Sequence, residues 1–226
     1  MMMTGCCSHF EEVAARQFTE KIASRDLADY RRKGPSLTTR LMRDALLGAG
    51  AGTGSLLDVG SGVGALTFEL LKGGMERATM VEASSAYLSA AAEEATRRHC
   101  ETAIEFVHGD FVDAGSRLSK ATVVSLDRVV CCYPHCEPLL KEAAAHAEGY
   151  VALSYPKQRW YVRLTIALDN AMRRLKGSRF QVVVHPEALI DNVLHQSGFS
   201  RLTRRGSLVW RVDVYRRSEF GRTRPD

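Results

Sequence analysis

The chain has 226 residues, 45% of them hydrophobic and 25% charged, with a formal net charge of +5. That length and balance suit one well-buried soluble domain and exclude disorder or a fibrous repeat. The basic residues lie in scattered pairs, such as Arg31-Arg32, Arg97-Arg98, Arg204-Arg205 and Arg216-Arg217, with acids between them, so nucleic acid is not an expected partner.

No apolar run approaches the length of a bilayer span, and the opening MMMTGCCSHF has neither a basic nor an apolar leader region. A cytoplasmic protein with no membrane span is expected. Its six cysteines would be mostly reduced there, which argues against a disulfide framework.

Residues 9 to 49 read as helical in two pieces broken at Gly34-Pro35, and residues 1–50 are expected to form a helical cap or lid. From residue 55 onward short apolar runs alternate with longer amphipathic ones, the pattern of βα units around a mainly parallel sheet. SLLDVG (55–60) is the first strand and VGALTFELLKGG a helix closed by glycine. ATMVEA (78–83), IEFVHGD (104–110), ATVVSLD (121–127) and GYVALSY (149–155) are the next four strands. Helices are expected from Ser84 to about His99 and over 136–147.

After Pro156 the rhythm changes. Residues 158–175 predict an extra amphipathic helix carrying Trp160, Leu164, Ile166, Leu168 and Met172. PEALIDNVLHQSGF predicts another, with Pro186 in its first turn and Gly198 at its end. FSRLTRRGSLVWRVDVYRR alternates around a Gly-Ser turn and reads as an antiparallel hairpin. The tail, 218–226, is expected to be disordered.

The stretch LLDVGSGVGAL turns a strand into a helix through Gly60, Gly62 and Gly64. Glycines there let a ligand approach the main chain closely. The ligand class is decided by charge. Asp58 stands two residues before the first glycine, where it would repel a pyrophosphate by on the order of 4 kcal/mol at ~4 Å and an effective dielectric near 20. Ala65 also stands where a nicotinamide fingerprint wants its third glycine. A cationic ligand is favoured instead, and S-adenosylmethionine (SAM), with an ammonium, a sulfonium and no phosphate, is one.

This D-x-G-x-G-x-G after a first strand resembles motif I of the class I SAM-dependent methyltransferases. Glu82 ends the second strand 22 residues after Gly60, near the ~20 expected of an acid that binds ribose hydroxyls. Asp110 and Phe111 follow the third strand, where that family places an acid against the adenine amino group and a side chain against its ring. The resemblance covers about residues 36–216. It implies a Rossmann-like α/β fold, a seven-stranded mostly parallel sheet in the order 3-2-1-4-5-7-6 with helices on both faces and an N-terminal helical lid. The SAM-binding domain would span 51–217, with 158–180 as an inserted substrate lid. The implied cofactor site comprises Asp58, Gly60, Ser61, Gly62, Gly64, Glu82, Ala83, Asp110, Phe111, Asp127 and Arg128.

In this fold the transferred methyl group points toward the end of the fourth strand, here followed by VVCCYPHC. Three cysteines and a histidine in six positions suggest a metal, but the spacing lacks paired C-x2-C units, and adjacent cysteines in a strand would face opposite sides. No metal is expected. Cys131 and Cys132 read as apolar lining, Tyr133 as a residue that lines or orients substrate, and His135 as a candidate general base, or simply as the start of the next helix. Trp160, Tyr161 and Arg163 offer an aromatic, cationic surface for a flat or anionic substrate. The order D-R-V-x-x-C-Y-P after strand four, with Tyr155-Pro156 after strand five, resembles the magnesium-protoporphyrin O-methyltransferase branch, while RRKGPSLTTRLM departs from it. The expected activity is methyl transfer from SAM to a small molecule, at oxygen. Alternatives are a SAM-binding regulatory protein without catalysis and, disfavoured by Asp58, a nicotinamide-dependent oxidoreductase.

Overall fold

In the computed structural model, which describes residues 10–220, seven strands form one sheet. They are β1 (Ser55–Val59), β2 (Arg77–Glu82), β3 (Ile104–His108), β4 (Ala121–Asp127), β5 (Ala147–Pro156), β6 (Phe199–Gly206) and β7 (Trp210–Arg217). Their order is 3-2-1-4-5-7-6. The first five are parallel, and β7 runs antiparallel to both β5 and β6. The sequence predicts this architecture, including the terminal hairpin, and the structure bears it out.

The apolar runs explain which strands lie inside. All five residues of β1 are buried, as expected of a strand covered on both faces. One face carries Leu56, Phe68, Met80 and Val123. The other carries Leu57, Val124, Leu126, Leu139 and Val193. The helices that cover them are α4 (Ala65–Lys72), α5 (Ser85–Arg97), α7 (Cys136–His146) and α9 (Glu187–Gln196), with a single turn α6 (Phe111–Ala114) after β3. β1 is flanked by β2 on one side and β4 on the other, so chain connections leave it in opposite directions. Such a reversal opens a crevice at the carboxyl ends of the strands.

Three features depart from the sequence reading. The N-terminal region holds three helices, α1 (Phe10–Gln17), α2 (Glu20–Lys33) and α3 (Leu37–Gly48). The break at Gly34-Pro35 occurs as expected, with Ser36 capping α3 by accepting from the Thr39 amide. A second break falls at Phe18, whose carbonyl accepts from Ser84 Oγ at 2.7 Å and whose ring meets Tyr87 and Phe180 edge-on. Moreover, α3 belongs to the core, with Met42 and Leu46 wholly buried. At the other end, Phe220 packs against the Tyr150 ring at 5.3 Å, so residues 218–220 are ordered against the sheet. The rest of the expected disordered tail lies outside the described residues.

The third departure is α8 (Trp160–Leu175). The helix forms where predicted, but its apolar residues face outward. Only Val162 is buried, whereas Trp160 is 76% and Leu168 61% exposed.

Candidate active site

The strand-to-helix loop after β1 passes through Gly60, Gly62 and Gly64 with φ of 61°, 56° and 78°, a region costly for residues with a Cβ. Their surroundings differ. A Cβ on Gly60 would sit 2.5 Å from Val129, and one on Gly64 2.7 Å from Met80, whereas Gly62 has nothing nearer than Tyr87 at 3.7 Å. Gly60 and Gly64 therefore serve packing, and Gly62 leaves space for a ligand. Between them the buried Ser61 hydroxyl has no hydrogen-bond partner among the described residues.

Four carboxylates ring this loop. Asp58 is buried and accepts from Ser125 Oγ at 2.6 Å and Thr67 Oγ1 at 2.8 Å. Burial pushes its pKa up to about 6 against the pull of those hydroxyls, with Asp127 and Glu82 adding repulsion. Glu82 accepts from the amides of Gly62 and Ser84, each at 2.9 Å, and burial raises its pKa too. A carboxylate has about four acceptor sites, so Glu82 keeps capacity for a hydroxyl donor. Asp110 accepts from the Val112 amide at 3.0 Å and the Tyr133 hydroxyl at 2.6 Å. Asp127 accepts from Ser154 Oγ and Thr39 Oγ1, each at 2.6 Å. Ser154 in turn accepts from the Arg128 amide, which fixes Arg128 at a left-handed φ of 64°.

These groups border a chamber of about 840 Å³, within the ~300–1,000 Å³ range of ligand sites. Asp58, Gly60, Ser61, Gly62, Glu82, Ala83, Phe111, Asp127, Arg128 and Tyr133 all line it. Gly64 and Asp110 support the wall from behind. Phe111 is also packed edge-on against His146.

The β4 loop needs correction. His135 is exposed, sits at the N-terminus of α7 and does not border the chamber. Burial and the adjacent Asp110 push the Tyr133 phenol far above its usual range. It acts as a neutral donor, not a base. Cys131 and Cys132 do line the chamber, but they occupy a 3-10 turn (Val130–Cys132) rather than a strand. Their thiols consequently converge on the Arg128 carbonyl at 3.5 and 3.4 Å instead of facing apart. Among the described residues no cluster of three His, Cys, Asp or Glu gathers as a metal site, and Cys6 and Cys7 lie outside those residues.

Trp160, Tyr161 and Arg163 do not border the chamber either. α8 turns Ile166, Asp169 and Arg173 toward it. Residues that the sequence reading missed hold the site together. His185 is buried, with Nε2 2.8 Å from the Tyr133 carbonyl, and burial lowers its pKa. Thr39 reaches Asp127 across 88 positions of sequence, and Asp26 of α2 accepts from the Tyr87 hydroxyl at 2.5 Å. No local pattern marks such long-range partners.

The orphaned Ser61 hydroxyl, the open face at Gly62 and the ring of carboxylates fit a polar, cationic ligand with ribose hydroxyls, and oppose a pyrophosphate. SAM matches that description.

Comparison with known proteins agrees. Residues 56–149 match the family described as a methyltransferase domain. No curated protein matches the chain. Among solved structures, magnesium protoporphyrin IX methyltransferase from Synechocystis PCC 6803 with bound S-adenosylhomocysteine (SAH) has a TM-score of 0.71 and 19% identity over 92% of this chain and 100% of that one. The same enzyme has also been solved with SAM. An O-methyltransferase family protein from Burkholderia thailandensis has a TM-score of 0.69 and 17% identity, over 93% of this chain and 62% of that one. The N-methyltransferase NodS from Bradyrhizobium japonicum WM9 has a TM-score of 0.56 and 14% identity, over 80% and 93%. At these identities the solved structures speak for the fold, and the family model matches residues 56–149 of the chain. With its strand order and acid-ringed glycine loop, the chain has the fold of the class I SAM-dependent methyltransferases and carries a methyltransferase domain over residues 56–149.

Proposed function

We propose that the protein transfers the methyl group of SAM to an oxygen of a small anionic acceptor, a carboxylate in the first place. The observation that carries this reading is the character of the wall after β4, which offers a guanidinium and, among the described residues, no free base. Asp127 is held by two hydroxyls, Tyr133 donates to Asp110, and His135 lies outside. A hydroxyl or ammonium acceptor must shed a proton before attack. A carboxylate, with a pKa near ~4, is already ionised at neutral pH. Arg128, whose side chain is half-exposed and only loosely paired with Asp127 at 3.9 Å, would attract and orient it.

In this reading Asp58 and the Gly60–Gly64 loop with Ser61 hold the methionine part of SAM, and Glu82 and Ala83 the ribose. Asp110 and Phe111 take the adenine side. Asp127 and Arg128 border the reaction centre. The acceptor oxygen attacks the methyl carbon in line with sulfur, the new C–O bond forming as C–S breaks, and no proton is released. Anion and sulfonium neutralise each other, so exclusion of water by the surrounding helices favours the transfer. The fold itself hosts both oxygen and nitrogen acceptors, as the Burkholderia and Bradyrhizobium proteins illustrate, so the chemistry of the β4 wall makes the choice.

The test is methyl transfer from radiolabelled SAM to panels of carboxylic acids, phenols and amines, followed by mild alkali. Esters release volatile labelled methanol, whereas ethers and methylamines do not. Base-labile product is expected. A base-stable product would refute the carboxylate reading, and SAM binding with no SAH formed from any acceptor class would favour a non-catalytic protein.

A further inference from the structure

Among the described residues, eight of the ten large apolar side chains exposed at the surface belong to one patch. Trp160, Tyr161, Leu164, Leu168, Met172 and Leu175 run along the outward side of α8, and Leu208 and Val209 continue the patch at the β6–β7 turn. Their spacing, mostly every fourth residue, makes one continuous stripe about 22 Å long at ~1.5 Å per residue. The two parts are joined, since the Tyr161 hydroxyl donates to the Leu208 carbonyl at 2.9 Å and the Lys157 amide to that of Val209 at 2.8 Å.

Charge identifies the occupant. Between residues 157 and 179 there are seven cations, Lys157, Arg159, Arg163, Arg173, Arg174, Lys176 and Arg179, and one acid, Asp169, which is already bound by Arg173 at 2.7 Å. A second copy packed on this stripe would bring the remaining cations against their own kind, a repulsive arrangement. A plane of anionic headgroups above an apolar layer satisfies both features at once, with Trp160 at the boundary and the guanidinium groups reaching sideways to phosphates. No helix among the described residues is long and apolar enough to cross a membrane, so α8 would lie on the surface.

We propose that α8, with the β6–β7 turn, docks the protein on an anionic phospholipid surface. The opposite side of the helix borders the chamber through Ile166, Asp169 and Arg173. Docking therefore sets the chamber wall close to the lipid–water boundary.

The test uses the full chain without acceptor and is independent of the proposed methyl transfer. Flotation with vesicles of phosphatidylcholine mixed with phosphatidylglycerol should recover the protein, whereas phosphatidylcholine alone should not. Trp160 emission should shift to the blue and be quenched by brominated acyl chains. The L164Q/L168Q/M172Q variant should bind at least about tenfold more weakly, as loss of several buried apolar groups requires. Its SAM affinity and thermal midpoint should be unchanged, because none of the three borders the chamber. Should that variant misfold, R163E/R174E must lose binding instead, and added salt must weaken the wild type. Binding that ignores lipid charge, no binding to either vesicle, or a concentration-dependent dimer abolished by the triple variant would each overturn the proposal.

Discussion

α3 and α8 are both amphipathic helices bordering the same chamber, and the structure puts their apolar faces to opposite use. α3 lays Met42 and Leu46 into the core, and its Thr39 is bonded to the end of β4. α8 rests on Val162 and turns its stripe away. The difference is what lies behind each helix. α3 packs against α4, β5 and β7, a broad apolar surface. α8 has beneath it the partly polar chamber, with Asp169 and Arg173 facing in. An amphipathic period thus declares that a face will be covered, without declaring by what.

The same contrast runs through the chamber. On the sheet side the polar groups are held before any ligand arrives, by backbone amides at Glu82 and by hydroxyls at Asp58 and Asp127. On the cap side α2 makes its polar contacts through side chains, Asp26 to Tyr87 and Arg31 to the buried Glu94. The cap also buries Ala23, Leu27 and Tyr30 of α2 in the core, so its polar ties supplement an apolar contact, whereas the sheet side holds its acids by polar groups alone.

The largest test of this division is Leu46→Ala on α3. It should cost ~2–5 kcal/mol of stability, read by denaturant unfolding, because the side chain is wholly buried. A smaller loss would mean that α3 is as loosely held as α8. Next, Glu82→Ala should weaken SAM binding by ~1.5–3 kcal/mol in calorimetry, the worth of hydrogen bonds to a charged acceptor. Unchanged affinity would show the ribose to be held elsewhere.

A third test is pH. Asp58 has its folded pKa raised from 3.8 to about 6. Its contribution to stability is therefore full below about pH 3.8 and lost as pH rises through about 6. Cationic SAM prefers the ionised carboxylate, so affinity should increase across that same window. Asp58→Asn should flatten the profile, and a wild-type profile flat between pH 5 and 7 would deny Asp58 an electrostatic role. The smallest effect belongs to Leu164→Ala on α8, expected within ~0.5 kcal/mol of wild type in the same unfolding assay. A larger loss would mean that the stripe is covered in solution.

The parts of the site that were legible in the sequence are those set by local geometry. Glycines at left-handed positions and acids at strand ends mark Gly60, Gly62, Glu82 and Asp127, because a strand's alternation and a tight turn are short-range properties. In the β4 loop, the expectation that adjacent cysteines face opposite sides holds for a strand and not for the turn that forms. In the structure the loop winds into a 3-10 turn after Arg128 takes a left-handed φ, which brings both thiols to one side and sends His135 outward. The partners of Asp58, Asp127 and Tyr133 were invisible, since Thr39, Ser125, Ser154 and His185 carry no local mark of their roles.

By itself the sequence determined the succession of strands and helices, the glycine loop and the sign of the charge beside it, for these follow from apolar runs and local backbone angles, while the strand order came from the resemblance to the methyltransferase family. Only the tertiary structure decided which hydroxyls hold the acids, that Tyr133 donates to Asp110 and His135 lies exposed at a helix start, and that the stripe on α8 faces out. Those depend on which distant surfaces meet, and burial is a property of the assembled layers rather than of any segment alone.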